Sequence, residues 1–209
     1  MQDKVCILEN IEKSYGPEHV LGPLSLSFER GTVTGIYGPN GAGKSTLMSL
    51  ITGISTPTAG TRTTTGGRIA YVPQELALYP SLSGRDNLSF WAGVYGLHGK
   101  DAKARVATAL ERVELTDKAG KKAETYSGGM KRRLNIAAAL LIPAELLVMD
   151  EPTAGCDVRS TDIILETIRS AADRHCAVVL VDHSTDTLER VCDRIVYLES
   201  GLIVSERVL

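Results

Sequence analysis

The most informative stretch of this 209-residue chain is Gly38-Pro39-Asn40-Gly41-Ala42-Gly43-Lys44-Ser45-Thr46. It matches the phosphate-binding pattern G-x-x-x-x-G-K-[ST] at every fixed position. Glycines let the backbone approach an anion closely, and exposed N–H groups at the start of the next helix point toward it. The Lys44 ammonium can reach terminal phosphates, and the Ser45 hydroxyl suits Mg²⁺. We therefore expect residues 38–46 to bind a nucleotide.

The sequence on either side of this loop predicts a strand over 33–37 and a helix over 44–52. Pro57 and Gly60 indicate a turn. Further short apolar or β-branched runs predict additional strands, at 5–8, 24–28, 69–72, 146–149, 177–181, 194–198 and 202–205. Alternation of strands and helices favours a mostly parallel sheet with the ligand at the carboxyl ends of its strands.

Between about Leu78 and Ile142 the apolar residues recur at helical spacing. Helices are predicted near 83–95, 101–113 and 128–141. The predicted fold class is therefore α/β, a P-loop NTPase core with a mixed, mostly parallel sheet and a helical insertion subdomain. We expect a single domain over 1–209, with the core at 1–77 and 143–209 and the insertion at 78–142.

Charge and composition exclude some partners. The formal net charge is −2 with a pI of about 6.1, so no overall basic field would attract nucleic acid. The basic cluster at 131–133 is local, and we interpret it as the solvated face of a helix.

The cysteines and the apolar runs indicate the cellular compartment and the kind of membrane contact. The four cysteines form no C-x-x-C pair, and the first residues form no signal peptide, so we expect a reducing, cytoplasmic environment. The longest apolar run, 136–149, is interrupted by Pro143 and Glu145 and is too short to cross a bilayer. Any membrane association would then depend on a partner.

Two carboxylates, Asp150 and Glu151, follow the apolar strand at 146–149. A carboxylate at the end of a buried strand beside a phosphate loop can hold Mg²⁺ through water. We expect Asp150 to serve the metal and Glu151 to orient or deprotonate the attacking water.

A second anion site is predicted at Tyr126-Ser127-Gly128-Gly129-Met130, where a helix opens. Ser127 suits the N-cap position, and the two glycines expose helix N-terminal amides, which attract phosphate. The chain would thus carry two phosphate-seeking helix N-termini.

Together these motifs resemble the nucleotide-binding subunit of an ATP-binding cassette (ABC) transporter over nearly the whole chain. Residues 38–46 correspond to the family's Walker A motif and 146–151 to Walker B with its catalytic glutamate. Residues 126–130 resemble the signature, usually Leu-Ser-Gly-Gly-Gln, although Tyr126 and Met130 depart from it. The stretch 126–134 is similar to ATPase subunits of bacterial exporters of drugs, antibiotics or small lipophilic compounds.

The resemblance also implies roles for single residues. Gln74 is similar to the glutamine that senses Mg²⁺ and the γ-phosphate, and His183 to the switch histidine. Asp157 resembles the D-loop aspartate, and Tyr15 fits the aromatic that stacks on adenine. Cys156 stands where the D-loop usually has leucine.

The family resemblance implies ATP and Mg²⁺ as cofactors and a head-to-tail pair of ATPase subunits, either a homodimer or two paralogues. An integral-membrane permease would be the further partner, which places the chain at the cytoplasmic face of the membrane. The alternative is a non-transport ABC ATPase, for example of the iron–sulfur assembly type. A P-loop kinase or GTPase is disfavoured by Ser127-Gly128-Gly129 and His183.

Overall fold

The computed structural model describes residues 4–209. The strands are β1 (Lys4–Tyr15), β2 (Glu18–Glu29), β3 (Val33–Tyr37), β4 (Ala59–Thr64), β5 (Ile69–Val72), β6 (Leu146–Asp150), β7 (Ala177–Val181), β8 (Arg194–Glu199) and β9 (Leu202–Val208). The helices are α1 (Lys44–Thr52), α2 (Gly84–Val94), α3 (Gly99–Arg112), α4 (Gly128–Ala139), α5 (Val158–Asp173) and α6 (Thr185–Val191). No helix in this described range is long and apolar enough to cross a membrane.

The larger sheet has the strand order β5-β6-β7-β3-β8-β9. Strand β3 runs parallel to both β7 and β8, β6 runs parallel to β7, and β9 pairs antiparallel with β8. Every residue of β7 is buried, as expected for a central strand covered on both faces. The predicted mixed, mostly parallel α/β fold is confirmed.

A second, three-stranded antiparallel sheet, ordered β2-β1-β4, differs from the sequence prediction. The short runs predicted at 5–8 and 24–28 belong to two strands of 12 residues each. The turn predicted at Pro57 and Gly60 is wrong for Gly60, which lies within β4, whereas Pro57 lies in neither a helix nor a strand. A Cβ at this position would lie 2.2 Å from the Asn10 carbonyl oxygen, so glycine permits β4 to approach β1.

The chain divides into two compact units. The first, which we call the core unit, comprises residues up to Tyr71, Ala144–Glu151 and Ile168–Leu209. The second, the helical unit, comprises Val72–Pro143 and Pro152–Thr167. The insertion limits expected from the sequence, 78–142, stay a prediction.

Each unit has its own apolar core. In the core unit, residues such as Phe28, Ile36 and Leu47 pack in one cluster with the buried face of the sheets. In the helical unit, Leu88 and Leu134 belong to a separate cluster built from α2, α3 and α4.

Candidate functional site

The phosphate-loop motif connects β3 to α1 in the core unit. Gly43 caps α1 in the left-handed conformation, with φ of 96° and ψ of 8°. A Cβ at Gly43 would also lie 2.9 Å from the Leu21 side chain, so both conformation and space favour glycine. No side chain caps α1, so the first N–H groups of this helix are left available to a ligand.

Lys44 is the first residue of α1, and its side chain folds over the loop. Its Nζ donates hydrogen bonds to the carbonyl oxygens of Gly38, at 2.7 Å, and Pro39, at 2.8 Å. Burial lowers the pKa of the Lys44 ammonium, while the charges of Glu151 and Asp150 act in the opposite direction. The two acidic residues are thus close enough to Lys44 to share its electrostatic environment.

The acidic pair lies where β6 ends beside β7. Asp150 is the last residue of β6 and pairs with Val181 of β7. Glu151 follows with a positive φ of 47°, and its backbone N–H donates to the Val181 carbonyl oxygen at 3.0 Å. The backbone therefore turns at Glu151, directly after the strand.

His183 contacts the carboxylate of Glu151. The His183 Nε2 atom lies 2.8 Å from Glu151 Oε1, within hydrogen-bonding distance. Glu151 is mostly buried, whereas the His183 side chain is about half exposed. The structure therefore brings together two residues that the sequence named separately, at the carboxyl ends of neighbouring strands.

The oxygen donors of the core unit suit a hard cation. Within residues 4–209 there is no group of three or more His, Cys, Asp or Glu that could hold a metal ion alone. Mg²⁺ prefers oxygen and commonly uses one or two protein ligands, with water and phosphate completing its shell. A hydroxyl at exposed Ser45 and a carboxylate at Asp150 fit that requirement.

Tyr15 ends β1, in the same unit as the phosphate loop. Its side chain is 52% exposed, and the Lys13 ammonium lies 5.0 Å from the ring centroid. An exposed ring of this kind has a face on which a planar base can stack.

The signature residues begin α4 in the helical unit. Ser127 is the N-cap, as predicted, and its Oγ accepts a hydrogen bond from the Met130 N–H at 3.2 Å. Tyr126 is buried, its hydroxyl donates to the Lys118 carbonyl oxygen at 2.7 Å, and burial raises its pKa. The departure from leucine at this position is thus accommodated by one specific hydrogen bond.

Asp157 lies beside the same helix end. Its Oδ1 accepts from the Ser160 N–H at 2.7 Å, and this bond lowers the pKa of Asp157, as does the charge of Arg133. A Cβ added to Gly129 would lie 2.3 Å from Ser160 Oγ and 3.5 Å from Asp157 Oδ2. The signature glycine and the D-loop aspartate are therefore packed together.

The interpretation of 131–133 as a solvated face is wrong for its two arginines, which are each only 8% exposed. Arg132 donates to the carbonyl oxygen of Gln74 at 2.6 Å, and Arg133 to that of Val113 at 2.7 Å. Helix α4 is buried along Arg132–Ala139, so its guanidinium groups bind carbonyl oxygens instead of water. The unbroken apolar run at 136–141 was the sequence signal for such a helix.

The predicted site residues fall into two groups. The phosphate loop, Tyr15, Asp150, Glu151 and His183 belong to the core unit, whereas Gln74, residues 127–129 and Asp157 belong to the helical unit.

Comparison with known proteins identifies the family. The ABC transporter family model matches residues 21–154. The linearmycin resistance ATP-binding protein LnrL of Bacillus subtilis is 44% identical, covering 94% of this chain and 67% of that protein. The daunorubicin resistance ATP-binding protein DrrA3 of Streptomyces coeruleorubidus is 35% identical, covering 99% and 69%. A Nod factor export ATP-binding protein I of Burkholderia orbicola is 37% identical, covering 94% and 68%.

Solved structures give the same result. CbiO1 from Clostridium perfringens, described as part of the ABC transporter complex CbiONQ, has a TM-score of 0.89 at 27% identity, covering 98% of this chain and 88% of that one. A dimeric ATP-binding cassette in a post-hydrolysis state, bound to ADP and phosphate, has a TM-score of 0.86 at 27% identity, covering 98% of each chain.

This chain belongs to the ABC transporter family. It is an ATP-binding ATPase subunit of the kind that powers transport through a permease. The relatives give no support to the alternative of a non-transport ATPase.

Proposed function

We propose that this chain hydrolyses ATP in a head-to-tail dimer to power export of a small, drug-like or lipophilic compound by a membrane permease. The observation that carries the catalytic part is the 2.8 Å contact between His183 and Glu151, in the same unit as Lys44. The resistance and export relatives support the direction and the class of cargo.

In this proposal the core unit binds ATP and activates water. The loop amides and Lys44 bind the phosphates, Tyr15 stacks on the base, and Glu151 orients or deprotonates the attacking water. His183 holds the Glu151 carboxylate in place, as its contact distance indicates. Magnesium held by Ser45 and Asp150, with Gln74 as a further ligand, would neutralise phosphate charge.

The helical unit would serve the nucleotide bound by the other chain of the dimer. The helix N-terminus at residues 127–129 would bind the γ-phosphate of that nucleotide. The neighbouring Asp157 would lie at the same interface between the two chains of the dimer. Driving an open dimer to the closed state needs roughly 5.5 kcal/mol of differential affinity. A few charge-assisted hydrogen bonds of about 1.5–3 kcal/mol each can supply this, and hydrolysis removes them.

The permease contact is supported by exposed apolar side chains of the helical unit, Tyr79, Phe90 and Val94, the last two one turn apart on α2. The rings of Tyr79 and Phe90 pack edge to face with centroids 4.7 Å apart. Contiguous exposed apolar surface typically marks an interaction site. Docking there would hold the chain at the cytoplasmic face of the membrane.

The catalytic proposal is tested by Glu151→Gln. The amide can still accept a hydrogen bond but is no base, so we expect turnover to fall by about 10²- to 10⁴-fold while ATP binding is kept. The variant should accumulate as an ATP-dependent dimer, measured by light scattering after size-exclusion chromatography. Glu166→Gln, which alters an exposed carboxylate of α5, is the matched control. Turnover at the parent rate by Glu151→Gln would remove Glu151 from the catalytic role.

The partner is tested by purifying the protein from detergent-solubilised membranes and identifying what accompanies it. A multi-span membrane protein supports export, whereas soluble scaffold proteins would favour the iron–sulfur assembly alternative. Truncating Tyr79 and Phe90 to alanine together should release the membrane protein without changing ATP binding.

A further inference from the structure

The segment that carries Gln74 lacks regular secondary structure, and side chains of neighbouring helices hold its backbone. Residues 73–78 form neither helix nor strand. The Gln74 carbonyl oxygen accepts from Arg132 at 2.6 Å, and the Ala77 N–H donates to Asn135 Oδ1 at 3.0 Å. The Ala77 carbonyl oxygen accepts from the Trp91 indole at 3.0 Å. The Gln74 side chain itself is exposed.

Two of these holding groups lie on α4, the helix that begins with the signature residues. Arg132 and Asn135 are three residues apart and therefore adjacent on one face of the helix. Arg132 lies four residues after Gly128, which is about 6 Å along the axis. Both side chains are buried, at 8% and 4% exposed, and so is the rest of the helix from Arg132 to Ala139. We expect such an enclosed helix to move as one element, together with the groups bonded to it.

Asn135 has a feature that packing alone does not explain. Because its Oδ1 must accept from the Ala77 N–H, its Nδ2 is fixed as a donor, and that atom is buried with no partner among the described residues. An unpaired buried donor destabilises a fold, so an apolar residue would suit a purely structural position better. The asparagine is explained by its hydrogen bond to the Gln74 segment.

We propose that Arg132 is a positioning residue, supported by Asn135, that couples phosphate contact at the start of α4 to the placement of Gln74. When phosphate engages residues 127–129, any displacement of α4 is passed to the Gln74 backbone through the Arg132 guanidinium. This inference rests on the proposed function, because it assumes that the signature residues contact phosphate and that Gln74 serves hydrolysis.

The experiment compares three variants of α4 in steady-state ATP hydrolysis. Arg132→Met keeps the length of the side chain but removes the donor, and Arg132→Lys retains one. Lys131→Met removes a charge from the adjacent position of the same helix turn and is the matched control. Melting temperature and ATP affinity are measured for each.

We expect Arg132→Met to lower kcat about tenfold or more with KM for ATP within about twofold of the parent, because a charge-assisted hydrogen bond is lost. Arg132→Lys should recover most of kcat, since its ammonium can donate to the same carbonyl oxygen. Lys131→Met should match the parent. Parent-like kcat in Arg132→Met would overturn the inference, as would a loss that Arg132→Lys fails to recover.

Asn135→Leu provides a second route if Arg132→Met does not fold. It removes the contact to Ala77 together with the unpaired donor, and we expect reduced kcat in a protein that melts within a few degrees of the parent. Unchanged kcat in this variant would contradict the inference. Failure here is separable from failure of the proposed function, which predicts parent ATP turnover and its loss in Glu151→Gln regardless of α4.

Discussion

The two helices expected to bind phosphate, α1 and α4, begin in different ways. Helix α1 follows a left-handed glycine, has no side-chain cap, and starts with a lysine whose ammonium is folded over the loop. Helix α4 follows an extended serine whose hydroxyl accepts from the Met130 N–H. Neither has an acidic residue in its first turn.

The difference indicates a division of labour. The start of α1 has its own cation and, in the same unit, the acidic residues that metal binding and hydrolysis require. Residues 127–129 at the start of α4 offer backbone amides and one hydroxyl, which is already engaged as a cap. We therefore expect α1 to bind ATP unaided and α4 to act only on a nucleotide that another chain has bound.

The largest effect on ATP binding should come from Lys44→Ala. The variant loses the ammonium that binds the terminal phosphates, so ATP affinity should fall by at least about tenfold, the value of one charge-assisted hydrogen bond. Isothermal titration with ATP checks this, with circular dichroism to establish that the fold is kept. If affinity were unchanged, α1 would not be the self-sufficient site.

A second prediction concerns stability, which should respond differently to substitution of the two signature glycines. In Gly129→Ala the new Cβ would lie 2.3 Å from Ser160 Oγ, and we expect a loss of about 1–3 kcal/mol in the free energy of unfolding from overpacking. In Gly128→Ala the nearest atom would be the Gly155 carbonyl oxygen at 3.6 Å, so stability should be unchanged or improved by helix propensity. Urea denaturation of both variants measures the difference, and equal stabilities would contradict the packing described for Gly129.

The smallest effect distinguishes capping from ligand binding. Ser127→Ala should cost about 1 kcal/mol of stability, as expected for loss of an N-cap. Ser83 caps α2 with the same geometry, its Oγ accepting from the Asp86 N–H at 3.1 Å, so Ser83→Ala should cost a similar amount. Only Ser127→Ala should also weaken the ATP-dependent dimer formed by Glu151→Gln. If both serine variants weakened it equally, Ser127 would be a cap and nothing more.

The parts of the fold that the sequence predicted well have a single dominant signal. Strands β6 and β7 are continuous apolar runs that end at an acidic residue, and β3 is buried although Thr34 and Gly35 interrupt its apolar run. Strand β4 has no such signal, because its sequence AGTRTT is polar and mostly exposed. Its pairing with β1 depends on tertiary contact, which local patterns do not encode.

The candidate site shows the same limit. Glu151 was named from its place after an apolar strand and His183 from the family resemblance, but their contact required knowing that β6 and β7 are neighbours. Arg132 was misinterpreted because arginine next to lysine usually faces water. Its burial follows from carbonyl oxygens on a distant segment, whose position the helix periodicity of α4 does not reveal.

The burial of α4 has a consequence for the exchange of backbone amides with solvent. From Lys131 onward its N–H groups are bonded within a helix that is largely enclosed, so their exchange should require cooperative opening of the helical unit. The amides of Gly128 and Gly129 precede the first intrahelical bond, so their exchange does not require the helix to open. Binding of phosphate to the signature residues should therefore slow deuterium uptake at the first two residues of α4. Deuterium uptake by the rest of that helix should stay unchanged.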